Sequence, residues 1–219
     1  MITEEKIKKC IEQYIEQYEK EWSFADSLIY KGCLEALKRI DLSKIEEKDV
    51  KGPIRTFLIN WGMMGRVVGR LKKGWEKELA TKIKINSRKL NNFRYKELSL
   101  INLDLNQMKR DIIDCYKSLR IIVGPTSASK ILHLICPNFF PMWDCDIRKL
   151  ISNIYKWRKN SHKGIGESPE GYYKFIQEIQ VFLKKYDEVL LELSKQYDKG
   201  KLKLIDEFLW KIAPRKRNI

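Results

Sequence analysis

The sequence has almost nothing with which to hold a metal. Only two histidines occur, His133 and His162, and they stand far apart. The five cysteines (Cys10, Cys33, Cys115, Cys136 and Cys145) are scattered, and no two form a Cys-x-x-Cys pair. Zinc and iron–sulfur sites need closely spaced ligands, so neither metal nor cofactor is expected. An odd, dispersed set of cysteines also speaks against a disulfide framework and for a reducing compartment. No apolar run reaches the roughly 18 residues of a membrane span, and no secretory leader is read. The expectation is a soluble intracellular chain with no membrane partner. Internal repeats and low-complexity tracts are absent too.

Acidic residues are the other shortage. Asp and Glu number 29 against 44 Lys and Arg, a formal charge of +15. Such an imbalance favours a polyanionic partner, because each cation that meets a phosphate releases counterions. Nucleic acid comes first on that ground and an anionic membrane surface second. The competing explanation is a lysine-rich proteome that decorates solvated faces, as in many heat-stable proteins. Apolar residues make up 43%, enough for a core and too much for a disordered chain.

Nearly all of the chain reads as helix, so the expected fold class is all-α. Residues 3–21 open with Thr3 and two glutamates, then place Ile7, Ile11, Tyr14, Ile15 and Tyr18 at helical spacing. A second helix follows to Arg39. Residues 41–53, ending in Lys-Gly-Pro, read as a connection. Gly62, Gly65 and Gly69 interrupt the next apolar stretch. Residues 85–107 are polar and read as irregular. Helices are then expected over 105–119, 125–135 and from Asp144 or Cys145 to Trp157. Ser168-Pro169-Glu170 is a strong start for another, with serine as cap and proline in the first turn. A last helix covers 202–212.

Residues 121–149, "IIVGPTSASKILHLICPNFFPMWDCDIRK", carry the most information. Gly124 can take the positive φ of a tight helix-to-helix turn. Pro125 opens the second helix without losing a hydrogen bond. Amides at such a turn, from Val123, Gly124, Thr126 and Ser127, can hold a phosphate with help from the helix dipole. Ala128, Ile131, Leu132 and Ile135 form one apolar face, with Thr126, Lys130 and His133 on the neighbouring one. Asp144 then follows an apolar strip and begins a helix.

This stretch resembles the helix-hairpin-helix DNA glycosylases, the superfamily that includes endonuclease III. Gly124 takes the place of the second hairpin glycine and Ala128 that of the following alanine. Thr126 falls on the catalytic Lys (or Ser) position, and Asp144 lies eighteen residues beyond it, where the family has its essential aspartate. Ile147 and Lys149 follow at the family's offsets. The chain departs from the pattern at Ile122, which replaces the first hairpin glycine, and at Thr126. One extra residue separates Pro141 from Asp144, and the iron–sulfur cysteines are missing.

The resemblance implies two helical lobes with a DNA cleft between them. The hairpin lobe would span 105–165, and the other would combine 1–104 with 166–219. It implies a monomer in the cytoplasm, associated with the nucleoid, that acts on double-stranded DNA containing a lesion and releases a damaged or mispaired base. The base must leave the stack for this. Asp144 would stabilise the positive charge that develops on the sugar. Lys130, one turn after Thr126, would serve as the amine if a Schiff base forms and the strand is cut. Arg120, Arg148 and Lys149, with the 156–163 loop, are candidate phosphate contacts beside the turn residues. Trp143, Phe140, Trp61 and Trp210 are candidate walls for the flipped base. Three other readings stay open from the residues alone. They are Asp144 as a plain helix cap, the hairpin as part of a non-catalytic DNA-binding module, and the whole as a helical scaffold.

Overall fold

The computed structural model describes residues 4–21, 24–61, 64–100, 102–159 and 164–213. Among them there is no strand, and the fold is all-α. The helices are α1 (Glu4–Glu21), α2 (Phe24–Lys38), α3 (Glu47–Asp49), α4 (Gly65–Val68), α5 (Trp75–Ile85), α6 (Ser87–Arg94), α7 (Leu105–Val123), α8 (Pro125–Ile135), α9 (Cys145–Lys159), α10 (Pro169–Lys185), α11 (Asp187–Tyr197) and α12 (Lys201–Ile212). None of the described helices is long and apolar enough to cross a membrane.

The capped helices begin where their side chains allow. Asp104 accepts the Asn106 amide at 2.8 Å and opens α7. The Ser168 hydroxyl accepts the Gly171 amide at 3.1 Å and opens α10, with Pro169 in its first turn. Each cap satisfies an amide that the helix itself cannot.

Three elements differ from expectation. The 41–53 connection ends in α3 and a π-helical turn, Val50–Ile54, with a second at Phe57–Trp61. Pro53 lies inside the first. Proline has no N–H for the ordinary i→i−4 bond, which favours a widened turn. Residues 87–94, read as irregular, form α6, which buries only Leu90 and Phe93. Two apolar positions are too few for a legible stripe. Helix α6 is held instead by long-range contacts: the Arg94 guanidinium donates to the Leu37 and Ile40 carbonyls at 2.8 and 3.2 Å. Helix α7 runs to Val123, one turn beyond the expected end at Leu119.

Helix α7 occupies the middle of the packing, against α5, α6, α8 and α10. Helix α12 packs on α1, α11 and α9, and α2 packs on α8 and both π turns. The buried side chains form one connected cluster. Its largest members include Trp143, Tyr116, Tyr172, Phe139, Phe140 and Phe175, all essentially inaccessible. Burying a large apolar side chain contributes about 1.5–3 kcal/mol, so this aromatic group ranks high among the stabilising contacts. Tyr116 and Tyr172 stack at 4.1 Å, and Trp143 meets Tyr172 and Phe175 at 5.1 Å each.

Candidate functional site

The turn between α7 and α8 is made by Gly124, with φ 80° and ψ 171°. Its amide closes α7 on the Arg120 carbonyl at 2.9 Å, and its carbonyl accepts the Ala128 amide at 3.0 Å. One residue thus ends one helix and starts the next. The Thr126 and Ser127 amides precede the first bond within α8 and belong to its N-terminal set. A side chain at φ 80° and ψ 171° is strained even where space is free. A Cβ on Gly124 would meet nothing within 4 Å. Gly124→Ala should therefore lower stability by about 1–3 kcal/mol through backbone strain alone. Gly52→Ala, at ordinary φ with equally open space, should show no comparable loss. Paired urea denaturation curves measure both.

Arg120 stands in the last turn of α7, half-buried. Its Nε and the Ser127 hydroxyl are buried without a hydrogen-bond partner. Buried polar atoms are normally satisfied, but Ser127 is 0% exposed, so it belongs to the core beneath the turn and leaves the expected phosphate contacts. Val123 is 1% exposed, backbone included, and leaves the expected phosphate contacts as well.

Asp144 begins α9. Its Oδ1 accepts the Asp146 and Ile147 amides at 2.9 and 2.8 Å, so the capping geometry is present. It also belongs to a cluster of charges. Asp206, on α12, is close enough to both Lys130 and Asp144 for each to shift its carboxyl. Burial raises that carboxyl, Lys203 and Lys130 hold it down in part, and it reaches about 6. Lys130 of α8, Asp144 ahead of α9 and Asp206 of α12 therefore share one neighbourhood.

The cluster continues inward. The Lys203 ammonium is 2.7 Å from Glu207 and 3.7 Å from Asp206, and it lies over the rings of Tyr18 and Tyr30 at 5.3 and 5.5 Å. Burial alone would lower this ammonium, but Glu207 and its anionic neighbours raise it instead, and Lys203 stays charged. Tyr30 donates to His133 Nε2 at 2.7 Å, while His133 Nδ1–H donates to the Phe140 carbonyl at 2.9 Å. The carbonyl can only accept, which fixes the tautomer and leaves Nε2 as an acceptor. Burial, only partly offset by the Phe140 carbonyl, lowers His133 to about 3.

His133 links folding to pH with a definite sign. Its folded value is depressed, so below an unfolded value of about 6.5 the unfolded chain binds one more proton and stability falls with pH. Asp206, raised to about 6, acts oppositely between its unfolded value and that point. The stability difference between wild type and His133→Gln isolates the histidine. That difference should shrink by about 1.4 kcal/mol per unit as pH falls below 6.5, read from urea midpoints at several pH values.

Two of the expected base-pocket residues are corrected. Trp143 is 0% exposed. Its indole N–H meets Tyr116 Oη at 3.2 Å, and its backbone is clasped by Ser129 Oγ at 3.1 and 3.2 Å. Phe140 is likewise 0% exposed, packed on Phe93, Phe139 and Tyr172. Both are core because the strip 139–143 passes beneath α8. Trp210 is half-buried with its edge on Tyr18 at 5.8 Å. The Trp61 side chain lies outside the described residues.

The expected phosphate contacts also divide. Arg148 ion-pairs with Glu167 and lies over the Trp143 ring at 5.6 Å, so its role here is to cover the core. Lys149 is exposed and pairs with Asp146 at 3.4 Å. In the 156–163 loop, Lys156 is exposed, and the side chains from 157 on lie outside the described residues. The stronger basic surface is elsewhere. Residues 65–120 hold 15 basic against 6 acidic side chains, whereas residues 1–64 hold 11 against 12. Arg66 on α4 and Arg70, Lys72 and Lys73 on the turn after it are exposed, as are Arg110 and Lys117 on α7.

Lys203, Asp206 and Glu207 were not singled out by sequence reasoning. Their signal is a polar seam at helical spacing through "KLKLIDEFLW", ending at Trp210. A seam of that kind inside an apolar helix is a buried ion network or a site. Among the described residues no cluster of His, Cys, Asp and Glu is arranged to hold a metal ion. No family of known proteins, no curated protein and no solved structure matches the chain.

Proposed function

We propose that this protein is a DNA glycosylase that excises a damaged or mispaired base from duplex DNA, with Asp144 stabilising the sugar cation. The supporting observation is that Lys130 on α8 and Asp144, the residue ahead of α9, both act on the Asp206 carboxyl of α12. In this reading, the Gly124 turn with Thr126 and Arg120 receives a backbone phosphate. The 105–165 segment forms the hairpin lobe, and the remaining helices form the other wall of the cleft. The exposed cations of 66–73 and of α7 supply non-specific attraction to the duplex. Trp210, half-buried one turn beyond Asp206, remains the aromatic best placed to meet a flipped base. Lys130 serves as the amine where base release is coupled to strand cleavage.

The binding part is tested by titrating a lesion-bearing duplex at several salt concentrations. A protein that meets six or more phosphates should lose about 10³-fold or more in affinity between 50 and 200 mM salt. Affinity that barely changes with salt would remove nucleic acid as the partner, and excision with it.

A further inference from the structure

Two isoleucines stand in water near the turn between α7 and α8. Ile85, the last residue of α5, is 70% exposed, and Ile121, in the last turn of α7, is 69% exposed. Printed bonds tie them to one surface. The Lys89 ammonium of α6 meets Asp114 of α7 at 2.6 Å and Asp111 at 3.1 Å. One turn further, the Asn86 side-chain N–H groups donate to the Ser118 hydroxyl at 3.1 Å and to the Lys82 carbonyl at 2.9 Å. These two rungs climb α7 toward its C-terminus as they step back from α6 toward α5, which itself packs on α7. The next step pairs Ile85, beside Asn86, with Ile121, one turn beyond Ser118 on the same helix face.

Cations frame the pair. Lys84 adjoins Ile85, Arg88 stands in the first turn of α6, and Lys117 lies one turn before Ile121, all three exposed. The two acids of α7, Asp111 and Asp114, are both held by Lys89, so the face is apolar within a positive rim. A lone exposed isoleucine is ordinary; two brought together from separate helices inside a frame of cations make a contact surface.

We propose that Ile85 and Ile121 enter the minor groove of duplex DNA, with Lys84, Arg88 and Lys117 on the flanking phosphates. The inference rests on the duplex-binding part of the reading above and not on base excision. Apolar side chains carried between cations suit that groove, where base edges offer a degenerate pattern and an apolar wedge can enter a base step. Asn86 and Ser118, the polar side chains between the isoleucines, bond to each other, which leaves them poorly placed to read major-groove edges. A second copy of the chain docked face to face would set the same cations against themselves, so charge favours the polyanion.

The test uses the full chain and a fluorescently labelled A·T-rich duplex. Ile85→Ser and Ile121→Ser should each weaken binding about tenfold, the loss expected when one isoleucine is no longer buried, and should leave the salt slope at its wild-type value. Lys117→Gln should instead lower that slope by about 1. Ile121→Leu should bind as wild type does, and netropsin, which fills the minor groove, should displace the wild type. Both isoleucines are exposed, so the serine variants should melt with the wild type, which circular dichroism checks. Serine variants that bind the duplex as tightly as wild type, or a wild type that netropsin leaves in place, overturn the proposal. A wild type that binds no duplex overturns it together with the nucleic-acid reading, and Ile-dependent binding to anionic phospholipid vesicles in such a protein would assign the face to a membrane. Ile-dependent duplex binding in a protein that releases no base retains this surface and overturns excision alone, so the two failures are distinct.

Discussion

Asp144→Asn should slow base release by about 10²–10³-fold and leave duplex affinity and thermal stability close to wild type. The substitution is unusually clean at this position. Asparagine is as good an N-cap as aspartate, and its carbonyl can still accept the Asp146 and Ile147 amides that Oδ1 holds now. What disappears is the negative charge. A carboxylate beside a forming sugar cation acts in a site shielded from water, where charge is worth far more than at the surface. A secondary effect should accompany the loss. Asp144 helps to raise Asp206, so the Asp206 titration should move down in the variant. Single-turnover release from a lesion-bearing duplex measures the first effect, and a binding titration on the same duplex measures the second requirement. Equal release by variant and wild type would reduce Asp144 to a cap.

Trp143→Ala should cost about 3–5 kcal/mol of folding stability, a fall in melting temperature on the order of 10 °C for a chain of this size. The indole fills the space between Tyr116, Tyr172 and Phe175, with ring centroids at 6.0, 5.1 and 5.1 Å. Removing it leaves a cavity, takes from the Tyr116 hydroxyl the N–H it accepts, and uncovers the underside of Arg148. A residue lining a base pocket would behave differently. Its loss would weaken excision and hardly move the melting temperature. Differential scanning calorimetry separates the two, and an unchanged melting temperature would return Trp143 to the pocket.

The contrast between these residues shows what the sequence made legible. Helices with a strong apolar stripe and a marked start, such as α7 and α10 with their caps and α8 with Pro125, could be placed from the residues. Gly124 followed by Pro125 marked the turn because no other pair so directly ends one helix and begins another. Asp144 was legible through its spacing and its position as a cap. Helix α6 was not, because Arg94 and two buried side chains hold it against distant chain. Phe140 and Trp143 were misread for a related reason. An aromatic strip beside an acid looks the same in sequence whether it lines a pocket or floors a core, and only the packing of α8 and α10 over it decides. Asp206 lies 62 residues after Asp144. No local pattern joins them, and their meeting depends on α12 folding back over the start of α9.

The central claim is that this arrangement releases a base. Its most direct test is a panel of duplexes, each with one defined lesion or mismatch, incubated with the protein in the presence and absence of borohydride. One class of base should be released and, where Lys130 attacks, a borohydride-trapped adduct should form that disappears in Lys130→Arg. No release from any duplex, with salt-sensitive binding intact, would contradict it and leave a DNA-binding module in which Asp144 only caps α9.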